Sequence, residues 1–297
     1  MSTKLRLARK SVAEAAARTV LHEMKIKGLC VDPIEIAQRK GITVEAKPSG
    51  VKGVSGMLIK SGDEFGILYA TDIPSKGFQK FSVAHELGHY CIEGHADALL
   101  EHGAHYSHAH FSSDNPYEME ADYFAASLLM PEAPFRKEIG RHDPGLAAVE
   151  ALAKACQTSL TATAIRYCGL TRDAIAIVIS HGATVDWCSM SEATKEAKKL
   201  EWIRRGSPVP DGTATAEFNA LADNVRLGNK SSGKGRLNDW FGGEQVYRIV
   251  EDVVGLGHYG RTLTVLHCNA LSEQANGEDT DEESDEDVVE RWTPRFR

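Results

Sequence analysis

The sequence predicts an α+β fold: a mainly helical first domain with a small β-sheet, a helix-turn-helix-like helical segment, and a C-terminal α+β module. Three observations predict it. Apolar residues recur at helical spacing through much of the first 170 positions. Two short runs, Val54–Lys60 and Glu64–Ala70, flank Ser61-Gly62-Asp63 and read as a β-hairpin. Two apolar strand-like runs, Ala174–Ile179 and Arg261–His267, stand on either side of a helical and then Gly/Ser/Lys-rich stretch. The expected boundaries are 1–135 for the first domain, 136–171 for the helical segment, 172–271 for the C-terminal module (a candidate sensory unit) and 272–297 for an acidic, disordered tail.

The first domain opens with a helix over 1–27, where Ala13, Ala16, Val20, Leu21 and Met24 lie on or near one stripe. The hairpin follows; it either offers an edge strand to an extended peptide or only covers the core. A helix is expected over 81–93, with Phe81, Val83, Ala84, Leu87 and Ile92 apolar and Ser82 as a candidate cap. Gly88 inside it costs about 1 kcal/mol relative to Ala, which predicts that another element packs close there or that a metal site needs room. A second helix is expected over 116–130: Pro116 suits its first turn, Pro131 marks its end, and its acidic residues lie where the helix dipole favours them.

From Pro144 to Leu170, Leu152–Ser159 reads as helix then turn and Thr161–Cys168 as a second helix. That spacing is like a helix-turn-helix, but only Lys154, Arg166 and Arg172 are basic, so direct nucleic-acid binding is not expected. Between the two late strands, Ser191–Arg205 reads as helical. The run Ser231-Ser232-Gly233-Lys234-Gly235 is not a phosphate-binding loop, because the first glycine and its spacing are wrong.

The chemistry concentrates at His85-Glu86-Leu87-Gly88-His89. Histidines four apart on a helix point to one side, so both imidazoles can reach one ion, most often zinc, with Glu86 beside an open coordination position as general base. The pattern predicts a hydrolase. A third ligand is sought on the helix over 116–130. On a wheel of 3.6 residues per turn, Glu118, Ala121, Asp122, Ala125, Leu128 and Leu129 share a face. Glu118 heads that face and is the favoured ligand, with Glu120, about 160° away, held in reserve. Asp122 is placed to accept a hydrogen bond from a ligand histidine and fix its tautomer. His95 falls six residues after His89, where the metzincin pattern has its third histidine, but that pattern needs glycine at 92 and the chain has Ile92. His95, His102, His105, His108 and His110 form a histidine-rich loop that either binds a second metal or gates the cleft, or is a polar, mobile connection, the favoured reading. Tyr117, Tyr123 and these histidines are candidates for a second oxyanion donor.

AHELGHY followed by E-x-x-A-D-x-F-A-A-x-L-L-M-P resembles the ImmA/IrrE metallopeptidases, over roughly residues 10–170. The upstream run Gly28–Val44 fits the same resemblance, as a helix leading into a first strand. The resemblance implies a helical zinc-peptidase domain with His85, His89 and Glu118 as ligands, Glu86 as base and Asp122 behind the ligands. It implies cleavage of helix-turn-helix repressors in the cytoplasm, in stress responses or mobile-element control, and a segment 136–171 packed against the peptidase part. A competing expectation is a regulatory or DNA-associated binding protein whose metal site is structural or vestigial.

Composition bounds the remainder. No apolar run reaches the ~20 residues of a membrane span, and no apolar stretch follows the basic residues of Met1–Lys10, so neither a membrane protein nor a secreted one is expected. The six cysteines form no C-x-x-C pair and read as free thiols of a reducing cytoplasm. Cys91 is either a small core residue or a redox handle on the metal helix. The net charge of −8 is concentrated: ten acidic residues and no basic one lie between Glu273 and Glu290, and without them and the three C-terminal arginines 31 basic face 32 acidic residues. The tail is thus expected to be solvated, with the body almost neutral.

Overall fold

The computed structural model describes residues 7–47, 53–72, 75–108, 115–197, 200–243 and 245–272. The acidic tail, the first six residues and His110 lie outside the described residues, and so do those expectations that fall on them. The fold is α+β and has two compact units. One comprises the described residues up to Arg141 together with Val149–Arg166; the other comprises His142–Ala148 and the described residues from Tyr167 on. The division thus differs from a break at 135, because the first unit takes in most of the helical segment.

The first unit runs α1 (Lys10–Glu23), α2 (Pro33–Arg39), β1 (Thr43–Ala46), β2 (Val54–Ser61), β3 (Glu64–Tyr69), α3 (Lys76–Cys91), α4 (His95–Leu99), β4 (Ala104–His108), α5 (Pro116–Leu129) and α6 (Glu132–Ile139), and then most of α7 (Leu146–Cys156) and α8 (Leu160–Leu170). Its sheet has the order β1-β3-β2-β4, with β1 parallel to β3 and the other pairs antiparallel. The hairpin is present, but β2 is an inner strand: β4 pairs along its far side, so the edge of the sheet there belongs to β4. The histidine-rich stretch is correspondingly not a loose connection. Its described part folds as α4 and β4, and His95 is fully buried.

Helix α3 starts five residues earlier than its apolar pattern predicts. Ser75, not Ser82, caps it, accepting from the Phe78 amide at 3.3 Å, while the Ser82 hydroxyl bonds back to the Phe78 carbonyl. Gly77 suits this first turn because the α7–α8 corner rests on it: a Cβ there would lie 2.9 Å from the Ser159 amide nitrogen. Gly88 answers to the same logic one helix face away, where a Cβ would lie 3.1 Å from Phe124 Cδ1 and 3.2 Å from Ala121 Cα of α5. Val83, Ala84 and Leu87 of α3 join Phe124, Ala125, Leu128 and Leu129 of α5 and Ala13, Ala17, Val20 and Leu21 of α1 in one core. Cys91 packs against that core, and burial pushes its thiol up to about 12, which suits a core residue rather than a reactive one.

The second unit holds β5 (Ile175–His181), β6 (Thr184–Met190), α9 (Glu192–Lys195), α10 (Ala214–Asn219), α11 (Ala222–Arg226), β7 (Lys230–Arg236), α12 (Leu237–Phe241), β8 (Arg248–Gly255) and β9 (Thr262–His267) in an antiparallel sheet ordered β6-β5-β9-β8-β7. The two expected strands, β5 and β9, are neighbours at its centre. One expectation fails here: among the described residues the helix over 191–205 is confined to Glu192–Lys195. The Gly/Ser/Lys stretch, to which the sequence assigned no element, is the exposed edge strand β7, where Gly233 lets Ala214 of α10 come within 2.7 Å of a notional Cβ. Inside this unit the fully buried Glu251 carboxyl group accepts from the Trp240 indole and the Thr215 amide, so its oxygens are matched by neutral donors. No described helix is long and apolar enough to cross a membrane.

Candidate metal centre

Helix α3 presents His85, Glu86 and His89 with almost no solvent exposure. Helix α5 crosses it at the Gly88 contact and brings Glu118 and Asp122 alongside. His85 Nε2 lies 3.1 Å from His89 Nε2 and 3.2 Å from Glu118 Oε2, and His89 Nε2 lies 3.4 Å from Glu118 Oε1. Tetrahedral ligands at zinc bond lengths of about 2.0–2.1 Å stand about 3.3 Å apart. The two nitrogens stand at about that separation from each other and each from one of the two Glu118 oxygens, and the set could hold a metal. Two imidazole nitrogens facing each other at 3.1 Å also need something between them: a shared proton or a cation.

The electrostatics follow from that crowding. Burial works against a charge on His85, but the Asp122 and Glu118 carboxylates overcome it and hold its imidazolium well above the ordinary range. Burial keeps His89 neutral, down at about 3. Burial would also raise Glu118, yet the imidazoles of His105, His85 and His89 around it hold its carboxyl far below the usual carboxylate range. A charged, half-buried carboxylate ringed by imidazoles is the donor chemistry of a divalent cation site.

Glu86 stands apart. It is fully buried, and among the described residues neither carboxylate oxygen makes a hydrogen bond. Burial pushes it up to about 7, against the opposing pull of His85, the nearby Ser107 hydroxyl and His105. Space for it is made by Gly56 of β2, where a Cβ would collide with Glu86 Oε1 and stand 3.0 Å from its Cγ. Gly56 carries no motif, and only the three-dimensional approach of β2 to α3 reveals its role.

The other candidates sort themselves around this centre. Asp122 Oδ1 is 2.8 Å from His85 Nδ1, on the ring nitrogen away from the donor triangle. Glu120 is not in the triangle; it faces α1 and binds Arg9 and His95. His95 lies behind His89, 3.1 Å from its Nδ1, and not where a metzincin ligand would stand. Tyr117 packs edge-on against His95, and Tyr123 lies under the Lys10 ammonium. His105, on the edge strand β4, places Nε2 2.8 Å from Glu118 Oε1 and is the member of the histidine-rich stretch that meets the site from the strand side.

Residues 37–167 match the peptidase family model described as the IrrE N-terminal-like domain, which bears out the resemblance carried by the two motifs. No curated protein matches the chain. Among solved structures, a Mycobacterium tuberculosis transcriptional regulator has a similar fold at 15% identity, with a TM-score of 0.55 and 94% of each chain covered.

Proposed function

We propose that this chain is a zinc-dependent endopeptidase, with His85, His89 and Glu118 as ligands, Glu86 as general base and Asp122 fixing the tautomer of His85. The observation that carries the reading is Glu86 itself: a fully buried carboxylate that makes no hydrogen bond among the described residues, beside three converging donor groups. A purely structural metal site has no use for such a group, because an unpaired buried carboxyl costs stability and returns none. The match to a peptidase family model over 37–167 supports the same reading.

When bound, zinc acidifies a water and polarises a peptide carbonyl. The residues supply the rest. Glu86 takes up a proton on one carboxylate oxygen as the carbonyl is attacked and returns it to the leaving amine, a shuttle that a carboxyl near pH 7 performs with little loss in either direction. Asp122 accepts from His85 Nδ1, which leaves Nε2 bare to ligate. The outer edge of β4, two residues from the site at His105, offers backbone groups for an extended substrate strand.

The substrate class follows from the resemblance: a specific intracellular protein, a helix-turn-helix repressor, cleaved in the cytoplasm. The decisive experiment co-expresses such repressors with the chain and with Glu86→Gln. The variant should retain one zinc per chain and lose cleavage; equal cleavage by the variant would remove the peptidase reading. The fold likeness to a chain titled a transcriptional regulator favours one rival, a regulatory binding protein with a structural metal site, and that rival predicts identical behaviour of the two chains.

A further inference from the structure

We infer that Arg9, Glu120 and His95 form a buried positioning chain that sets the tautomer and orientation of His89, so that the segment leading into α1 takes part in building the metal centre. The inference rests on the zinc-site reading above, and it concerns three residues that this reading leaves without a task.

The geometry is continuous. His89 Nδ1 stands 3.1 Å from His95 Nδ1, and His95 Nε2 stands 2.9 Å from Glu120 Oε2. The Glu120 carboxylate is gripped by Arg9 from three directions: its backbone amide at 3.0 Å to Oε1, Nε at 3.2 Å to Oε1, and Nη2 at 2.9 Å to Oε2. His89, His95 and Glu120 are all fully buried, whereas Arg9 reaches the surface. Burying a carboxylate and two imidazoles in a row is costly unless their polar atoms are matched. Arg9 supplies the charge opposite Glu120. His89 turns Nε2 to His85 and Glu118 and Nδ1 to His95. For Nε2 to ligate, His89 carries its proton on Nδ1 and donates it to His95 Nδ1, and His95 Nε2 then donates to Glu120.

That is the tautomer a metal ligand requires. Each ligand histidine thus has a backing partner of different length: Asp122 directly for His85, and His95 with Glu120 and Arg9 for His89. The arrangement also explains why α5 carries two glutamates two residues apart. Glu118 faces α3, whereas Glu120 faces α1, and α5 is packed between the two helices.

The test uses the full chain and the variants His95→Phe, Glu120→Gln and Arg9→Gln, each checked for folding by circular dichroism. In the metal-free protein, imidazole nitrogen NMR should show His89 as the Nδ1–H tautomer, and His95→Phe should remove that preference. Competition with a chromophoric chelator should show zinc affinity falling about 10–100-fold in His95→Phe and Glu120→Gln, the usual loss when a partner behind a ligand is removed. Glu120→Gln is close in shape to the original and keeps the test available if His95→Phe does not fold. An Nε2–H tautomer of His89 in the unaltered chain would overturn the inference. So would folded variants that bind zinc within about twofold of the unaltered chain, since backing partners ordinarily matter at least tenfold. If the unaltered chain takes up no zinc, the peptidase reading falls, while the metal-free spectra still decide where the His89 proton sits.

Discussion

Replacing Glu86 by glutamine should stabilise the metal-free protein, and should do so at neutral and alkaline pH but not in acid. In the folded chain burial raises this carboxyl from its ordinary 4.5 to about 7. Below pH 4 it is protonated whether the chain is folded or not, and it costs nothing. As the pH rises through the interval from 4.5 to 7, the unfolded chain releases the proton and the folded chain keeps it, so stability is lost progressively; above pH 7 the loss is complete. At 1.36 kcal/mol per pKa unit the interval amounts to about 3 kcal/mol. Glutamine has no charge to bury and escapes this loss. Its advantage over the parent chain should therefore grow by about 3 kcal/mol between pH 4 and pH 8. Urea denaturation of both proteins at the two pH values, in the presence of a chelator, measures the difference; taking the difference cancels the titrating groups that do not sense Glu86. A stability gap that is the same at pH 4 and pH 8 would refute the reasoning, because it would mean that Glu86 titrates alike in the folded and unfolded chains.

Three further outcomes are expected. Gly56→Ala places a methyl group against Glu86 and should cost about 1–3 kcal/mol in denaturant-measured stability, with substrate cleavage reduced on the order of 100-fold by displacement of the base. Asp122→Asn leaves the fold intact and should weaken zinc binding about 10–100-fold by chelator competition, through loss of the acceptor at His85 Nδ1. Glu251→Ala leaves the Trp240 indole and Thr215 amide of the second unit without their acceptor and should destabilise it by about 2–4 kcal/mol in urea, with zinc affinity unchanged.

The donor triangle was legible because its spacing is local. His85 and His89 share a helix face by arithmetic alone, and Glu118 and Asp122 follow from one helical wheel. The wheel chose between Glu118 and Glu120 because small residues continue the face of the first; it could not say that the second face is also buried, since α5 has helices on both sides. Contacts made across the sequence were out of reach. Arg9 and Glu120 are 111 positions apart, and nothing in either neighbourhood announces the other. Strand β4 was missed because five residues with two histidines and a serine carry no apolar alternation; β2 makes it a strand by pairing with it. The early start of α3 was hidden by Gly77, a weak helix former retained for the corner that rests on it. In the second unit β7 lacks large apolar side chains altogether and is held by its ladder to β8.

The close crossing at Gly88 has a consequence for which ions can enter. Because α5 backbone lies 3.2 Å from where a methyl group would stand, the two helices have no slack, and the spacing of the imidazole and carboxylate tips is set by main-chain packing and not by the ion. Calcium, with bonds of about 2.3–2.6 Å, would demand donor separations of about 3.8–4.2 Å in the same arrangement. The helices would have to part to admit it. A cation of calcium's size should therefore bind the proposed site more weakly than zinc does, and the cause would lie in a glycine–alanine contact between two backbones.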